Sequence, residues 1–166
     1  MEKIFKGRVW RFLDNIDTDQ IFPGRYLSIS DPKDMVEHCM EGAGHPVFQA
    51  EAKEGDLIVA GDNFGCGSSR EHAAICLKLL GIRGIIAQSF ARIFFRNALN
   101  VGLAVIEAPG VSAIIEGNQV EVNLETGEVK DLTDSKIYQG GTIPEFLFKM
   151  LEKGGLVAEL EEKFLR

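Results

Sequence analysis

The central third of the chain alternates short apolar runs with longer amphipathic segments, and this alternation limits the possible folds more than any other feature. The apolar runs are residues 56–61, 84–88 and 103–107, each compact enough for a buried strand. The segments between them, residues 69–80 and 90–100, have the spacing of helices. Strands that alternate with helices predict a parallel sheet covered by helices. We therefore predict an α/β fold.

The sequence before this centre indicates a strand, a helix and a loop. Residues 7–12 have the composition of a short strand. A helix is predicted to begin at Asp31 and Pro32, because Asp favours the N-cap and Pro the first helical position. Its apolar stripe ends near Gly42, and residues 43–55 are predicted to form a loop.

The last third of the chain has a different pattern. Residues 119–124 alternate polar and apolar side chains, and a Glu-Thr-Gly turn separates them from a second predicted strand over residues 128–132. Thr142 and Glu145 have the spacing of a capping box, which predicts a helix to about Lys153 and then a short charged helix. These elements add a β layer to the α/β centre.

Bulk composition narrows the classes of partner and location. A length of 166 residues is ordinary for a single domain, so we expect one domain over residues 1–166. The net charge is -7 and no run of Lys and Arg occurs, which argues against a nucleic-acid partner. No apolar run approaches membrane-spanning length, and residues 1–8 lack the apolar core of a signal peptide. We therefore expect a cytoplasmic protein without a membrane partner.

The three cysteines, Cys39, Cys66 and Cys76, show no C-x-x-C spacing. An odd number without that spacing indicates reduced thiols rather than a disulfide framework, which agrees with a cytoplasmic location. A metal cluster needs several converging thiolates, so we expect no metal site within this chain. Cys66 is interpreted as a structural thiol.

A Gly-rich segment, residues 61–72, joins the first strand of the centre to its helix, which is where open α/β sheets place ligand sites. Gly65 and Gly67 permit positive φ and a close approach of the backbone. The start of the helix directs unpaired N–H groups toward the segment. Two hydroxyls and a guanidinium, the group that grips carboxylates bidentately, belong to Ser68, Ser69 and Arg70. We predict that the segment binds a carboxylate.

The same segment has a purely structural interpretation. Ser68 and Glu71 have the spacing of a capping box, in which Ser68 would cap the helix and Glu71 would bond back to it. Two preceding glycines, a second serine and an arginine in the predicted first turn, where the helix dipole disfavours a cation, favour a ligand site instead.

Residues 62–73, Asp-Asn-Phe-Gly-Cys-Gly-Ser-Ser-Arg-Glu-His-Ala, resemble the signature of the aconitase swivelling domain and of the separate small subunits of isopropylmalate isomerases. The resemblance continues, in order, at residues 15–21, 88–97 and 123–127, and so spans nearly the whole chain. It implies a swivelling three-layer β/β/α domain, as in the aconitase C-terminal domain. The short length and the lack of cluster cysteines are typical of a free small subunit.

The resemblance implies a hydro-lyase subunit that is active only with its large subunit. The family reaction removes water from a hydroxy diacid and adds it back with the positions exchanged, as between 2- and 3-isopropylmalate in leucine biosynthesis. This chain is expected to hold no cofactor, whereas the large subunit, in a heterodimer or heterotetramer, would hold a [4Fe-4S] cluster whose open iron receives the leaving hydroxyl. By the resemblance, Ser68 is the base, acting as an alkoxide, and Ser69 and Arg70 bind a substrate carboxylate.

Further residues match family positions, although each also has a structural interpretation. Asp17, Thr18 and Asp19 belong to a type of polar turn that often serves only as a cap. By the resemblance, Asp19 orients hydroxyls or arginines of the Gly-rich segment. Arg92 and Arg96, four positions apart on one side of a helix, are either a solvated face or a contact with the large subunit or the site. The residues expected to position the site are Asp17, Thr18, Asp19, Glu71 and His72.

Substrate choice is expected in the recognition loop, residues 25–30. Aconitases and homoaconitase small subunits carry an arginine late in this loop for an additional carboxylate, where this chain has Ser28, Ile29 and Ser30. A buried carboxylate without a cation is unfavourable, so Ser28 and Ile29 are predicted to contact a substrate with an apolar branch, unless Arg25 supplies the charge. The alternatives are a homoaconitase subunit, a methylmalate or dimethylmalate dehydratase subunit or, against the intact Ser-Ser-Arg set, a non-catalytic anion-binding module.

Overall fold

A computed structural model of the chain describes residues 1–165, which form one mixed sheet with helices. The sheet has the strand order β4-β3-β2-β1-β5-β6-β7. The neighbouring strands among β1 to β4 run parallel to one another. The pairs β1–β5, β5–β6 and β6–β7 are antiparallel. The strands are β1 (Ile4–Arg11), β2 (Leu57–Ala60), β3 (Gly84–Ala87), β4 (Ala104–Glu107), β5 (Gln119–Asn123), β6 (Glu128–Asp131) and β7 (Lys136–Gln139).

The helices lie between and after the strands, and none of those over residues 1–165 is long and apolar enough to cross a bilayer. Single 3₁₀ turns occur at Gly24–Tyr26, Glu41–Ala43 and Val111–Ala113. The α-helices are α1 (Thr18–Ile21), α2 (Pro32–Glu37), α3 (Phe48–Glu51), α4 (His72–Leu80), α5 (Arg92–Asn100), α6 (Glu145–Glu152) and α7 (Leu156–Phe164).

The sheet curls so that its antiparallel half covers one face of its parallel half. The ring of Phe5, in β1, lies over Gly84 of β3, and beyond β7 the N–H of Gly141 donates to the carbonyl of Glu107 in β4, at 2.9 Å. Helices α4 and α5 follow β2 and β3, and every residue of these two strands is buried. The result is a β/β/α arrangement, which confirms the predicted α/β fold and the swivelling-domain class.

The predicted strands and the two central helices are present, but one helix boundary at the Gly-rich segment is wrong. Helix α4 begins at His72 rather than at residue 69, and it ends at Leu80 as predicted, with Gly81 at its C-cap. The chain before His72 is held by hydrogen bonds to residues 16–18 instead of by helical ones. Ser68 and Arg70 therefore precede the helix and do not belong to its first turn.

Tertiary contacts account for several other differences. Helix α2 ends at Glu37, because Met40 takes a positive φ and its N–H donates to Ile21. The predicted loop over residues 43–55 contains α3, which is anchored by the fully buried ring of Phe48. The capping box predicted before α6 is wrong, because Pro144 occupies the N-cap and no side chain bonds to the helix start. Strand β7 was not predicted, since its side chains are mostly exposed and show no alternation.

Candidate functional site

The Gly-rich segment meets the turn after β1 at the carboxyl ends of two adjacent parallel strands. The N–H of Gly65 donates to Ile16 at 2.7 Å, and the N–H of Thr18 donates to Cys66 at 2.8 Å. Gly65 has a φ of +82°, and a Cβ at this position would overlap the ring of Phe94 in α5. Only glycine combines this backbone conformation with this close packing. The turn and α5 thereby fix the course of the segment.

The hydroxyl of Ser68 lies between Arg70 Nε, which donates to it, and the Thr18 hydroxyl, which can donate to it. The Nε of Arg70 donates to Ser68 Oγ at 2.6 Å, and Thr18 Oγ1 lies 3.1 Å from the same oxygen. The backbone N–H of Ser68 donates to Thr18 Oγ1 at 3.1 Å, which leaves the Thr18 hydroxyl proton free to point at Ser68 Oγ. Thr18 is only 3% exposed, so its position is fixed by packing, whereas Ser68 is exposed. The arrangement suits a negative charge on an accessible oxygen.

This geometry excludes the capping-box interpretation of Ser68 and Glu71. The N-cap of α4 is Glu71, and no side chain makes a capping hydrogen bond there. Ser68 bonds instead to Thr18 and Arg70. Glu71 is exposed, so its predicted role in positioning the site stays a prediction.

Arg70 lies beside the acidic turn that the sequence singled out. Its Nη2 is 3.7 Å from Asp19 Oδ1, and the same carboxylate oxygen accepts the N–H of Gly24 at 2.7 Å. A Cβ on Gly24 would lie 2.7 Å from Arg70 Nη1, so glycine leaves room for the guanidinium. Asp17 caps α1 by accepting from Gln20, whose side chain bonds back to the Asp17 N–H. The turn is thus both a capping box and a support for Arg70.

The remaining predicted residues surround this centre without all touching it. Ser69 is exposed, and its carbonyl accepts a hydrogen bond from Asn97 Nδ2 of α5 at 3.1 Å. Sequence reasoning missed this role of Asn97, although the residue ends one of the quoted motifs. The His72 ring stacks on Phe22 with centroids 5.9 Å apart, and its buried Nδ1 has no hydrogen-bond partner among the described residues.

The recognition loop is held by hydrogen bonds near its start and by the packing of Ile29 near its end. Arg25 and the Tyr26 hydroxyl both bond to Glu41 Oε1, at 2.8 and 3.2 Å. Burial alone would raise the pKa of Glu41, but hydrogen bonds from His38 and Tyr26 and the charge of Arg25 lower that pKa below its ordinary value. Arg25 is therefore paired with a carboxylate of this chain. Ser28 is exposed and Ile29 packs at the edge of the core, and their contact with substrate stays a prediction.

The described residues do not fit a metal cluster. Over residues 1–165 no group of three His, Cys, Asp or Glu side chains converges on one point. The sulfurs of Cys39 and Cys76 are 3.0 Å apart, and burial raises the pKa of the Cys39 thiol well above its ordinary value. The pKa of Cys66 is also raised, by burial and by the Asp17 carboxylate, which keeps this thiol neutral.

Comparison with known proteins finds relatives that match this chain over nearly its whole length. Residues 45–110 match the family model of the aconitase C-terminal domain. The chain is 54% identical to the 3-isopropylmalate dehydratase small subunit of Aquifex aeolicus, over 98% of both chains. It is 50% identical to the 2,3-dimethylmalate dehydratase small subunit of Eubacterium barkeri, over 92% of this chain and 93% of the relative.

A solved structure shows the same fold throughout. The crystal structure of a 3-isopropylmalate dehydratase chain from Methanocaldococcus jannaschii superimposes with a TM-score of 0.90 at 46% identity. The match covers 98% of this chain and 96% of that one.

Proposed function

We propose that this chain is the small subunit of a hydro-lyase that interconverts 2- and 3-isopropylmalate in leucine biosynthesis. The basis is that the chain belongs to the family of 3-isopropylmalate dehydratase small subunits. Membership follows from 54% identity to a relative so named, over 98% of both chains. The family predicted from the motifs is thereby confirmed. The observation that supports a catalytic role is the pair of donors aimed at the exposed oxygen of Ser68.

Ser68 is the proposed base. The reaction requires removal of a weakly acidic proton from a carbon next to a carboxylate, and an unaided serine hydroxyl is too weak an acid to supply the alkoxide. Donation from the positively charged Arg70 Nε and from the Thr18 hydroxyl stabilises the charged form of Ser68. Because Thr18 is only 3% exposed, packing keeps its hydroxyl in place, and the hydroxyl need not reorganise during the reaction.

Arg70 is proposed to hold a substrate carboxylate as well. Its Nε is used on Ser68, and its two terminal nitrogens form an edge that can take a carboxylate bidentately. Asp19 Oδ1 lies 3.7 Å from Nη2 and orients this edge. Because the Asp19 side chain is largely exposed, water screens its charge, and it competes only weakly with a substrate carboxylate for Arg70. Negative charge grows on that carboxylate as the proton leaves, which makes Arg70 a contact of the transition state.

Ser68 is proposed to take up and return one proton in each reaction cycle. In dehydration the alkoxide takes the proton from carbon and becomes a hydroxyl, while the hydroxyl on the neighbouring carbon leaves as hydroxide, which the iron proposed for the large subunit would accept as a Lewis acid. In rehydration the positions are exchanged: hydroxide adds to the carbon that lost the proton, and Ser68 returns its proton to the other carbon. Ser69, exposed and tied through its carbonyl to Asn97, is proposed to bind the carboxylate with its own hydroxyl.

A dimethylmalate dehydratase subunit is the second candidate. The Eubacterium barkeri relative named for that substrate is 50% identical to this chain, close to the 54% of the isopropylmalate relative. Both substrates carry small apolar branches, which agree with Ser28 and Ile29 in the recognition loop. The absence of an arginine at these positions disfavours a homoaconitase.

The remaining parts of the proposal concern the partner and its cofactor. The relatives are named as small subunits, so a large subunit completes the enzyme. We assign the [4Fe-4S] cluster to that large subunit, because Cys39 and Cys76 are both deeply buried and Cys66 lies elsewhere, in the Gly-rich segment. The cytoplasm is the proposed location, in agreement with three free thiols.

Reconstitution tests the proposed function. The chain is combined with the large subunit from the same organism, and product is followed from 2-isopropylmalate, 2,3-dimethylmalate and homocitrate. The complex is expected to interconvert the isopropylmalates, whereas the chain alone is expected to be inactive. Preference for dimethylmalate supports the second candidate, and inactivity of the intact complex on every diacid contradicts the proposal.

A further inference from the structure

Helix α5 presents an exposed outer face, formed by Arg92, Ile93 and Arg96. Arg92 and Arg96 are exposed, and Ile93 is 49% exposed although it is a large aliphatic residue. The opposite side of the helix is buried in the core through Phe94 and Ala98.

The two arginines of the α5 outer face differ from the other arginines that the structure describes. Over residues 1–165, each of the others donates to a carboxylate, a carbonyl or a hydroxyl. Arg92 and Arg96 have no hydrogen bond and no ion pair within residues 1–165, even though acidic residues outnumber Lys and Arg by 25 to 18. The arginines with partners are Arg8, Arg11, Arg25, Arg70 and Arg83.

A cleft of about 260 Å³ lies beside the pair. Phe90 and Phe95 supply aromatic surface, and the carboxylate of Glu107 completes the lining. Glu107 Oε1 accepts the N–H of Phe90 at 3.0 Å, so this carboxylate is engaged by the backbone and does not pair with either arginine. Arginines next to aromatic rings are the composition of binding hot spots between proteins.

The α5 outer face continues directly from the proposed active site. Asn97, which follows Arg96 on α5, donates to the carbonyl of Ser69, and Phe94 of the same helix packs under Gly65. A large subunit that completes the site must cover Ser68 and Arg70. Because the face adjoins these residues, it is the next surface that such a partner reaches.

We infer that the α5 outer face is a docking surface for the large subunit, which meets it with carboxylates that pair with Arg92 and Arg96. Ile93 and the aromatic rings of the cleft would be buried beneath this charged contact. The inference rests on the proposed function, since it names where the partner of that function binds. Guanidinium groups that bond nothing among the described residues are available for bidentate pairing without breaking an existing interaction there.

The experiment measures the affinity of the two subunits with a double charge reversal, Arg92→Glu with Arg96→Glu. The dissociation constant is expected to rise by about 10- to 100-fold, while turnover at saturating large subunit stays near that of wild type. The matched control is Lys53→Glu with Lys136→Glu, which makes the same charge change at the other end of the parallel strands and on β7. The control should leave the dissociation constant within about twofold.

A milder pair, Arg92→Gln with Arg96→Gln, covers the case in which the charge reversal impairs folding, which circular dichroism and thermal unfolding would reveal. Its affinity for the large subunit should depend less steeply on salt than that of wild type. Unchanged affinity and an unchanged salt dependence overturn the inference, as does a raised KM for substrate with unchanged affinity, which would make the arginines substrate ligands.

Two further outcomes are separated by design. A change in self-association of the small subunit alone, measured by light scattering, would assign the face to a second copy of this chain and overturn the inference. If the wild-type chain fails to bind or activate the large subunit, the proposed function itself fails. If wild type works and the double variants match it, the inference about α5 alone fails.

Discussion

The Gly-rich segment and the recognition loop differ in how firmly this chain holds them. The Gly-rich segment is tied to the turn after β1 by backbone hydrogen bonds from Gly65 and to Cys66, and its serine oxygen meets two donors. The recognition loop is pinned through Arg25 to Glu41, but Ser28 beyond it is exposed. The difference teaches that the proposed catalytic oxygen is positioned within this chain, whereas we expect substrate selection to depend on the large subunit as well.

The strongest test of this comparison removes the proposed base. Ser68→Ala in the reconstituted complex is expected to lower turnover by about 100- to 10,000-fold, because it removes the proposed base. Stability should change by less than about 1 kcal/mol, since Ser68 is exposed and does not cap α4. Ser112→Ala, which removes a hydroxyl bonded to Gln88, is the control and should leave turnover unchanged. Near-normal turnover of Ser68→Ala would place the base elsewhere.

A conservative change at Arg70 should have the next largest effect. Arg70→Lys keeps the charge but loses the planar fork that donates through Nε to Ser68 while its other edge faces substrate, so kcat/KM is expected to fall by about 100-fold. Arg83→Lys makes the same change at an arginine paired with Glu2 and should be close to neutral. An equal and small loss of kcat/KM in both variants would show that Arg70 does not act through bidentate contacts.

Substitution of Thr18 tests whether this residue contributes to turnover by stabilising the charged form of Ser68. Thr18→Val removes the second donor to Ser68 Oγ and should lower kcat by about tenfold with little change in KM, whereas Thr18→Ser should restore it. Thr133→Val deletes a hydroxyl that accepts the N–H of Gln119 and serves as the control. Loss of stability without loss of kcat in Thr18→Val would reduce Thr18 to a packing residue.

The recognition loop should show the smallest effect and the most selective one. Ser28→Arg is expected to shift the ratio of kcat/KM for homoaconitate over isopropylmalate by about tenfold, because it adds the missing cation and crowds the apolar branch. Gln119→Arg adds the same charge on β5 and should leave the ratio unchanged. A wild-type preference for homoaconitate, or a ratio insensitive to Ser28→Arg, would show that this loop does not select the substrate.

The sequence predicted those parts of the molecule that depend on local pattern. The buried runs of β2 and β3, the helices after them and the stop at Gly81 follow from apolar spacing and glycine chemistry. Strand β7 escaped prediction because it is held by pairing with β6 and has no buried alternation of its own. Its existence depends on its partner strand rather than on its own residues.

The candidate site was predicted in its residues but not in its contacts. Ser68 and Arg70 stood out by their motif, whereas the bond from Thr18 joins residues that are 50 positions apart. The same limit applies to Asn97 and Ser69, which meet only because α5 packs against the Gly-rich segment. Long-range contacts of this kind follow from the assembled fold and leave no periodic signal in the chain.

The most direct test of the central claim, that Ser68 takes the proton from carbon, is whether a deuterium placed at that carbon leaves it. Nuclear magnetic resonance follows the deuterium at that carbon of labelled isopropylmalate in complexes with wild-type chain and with Ser68→Ala. The account predicts that the deuterium leaves the carbon with wild type and does not leave above the uncatalysed rate with Ser68→Ala, although substrate still binds through Arg70. Departure of the deuterium in the Ser68→Ala complex at a rate near that of wild type would contradict it.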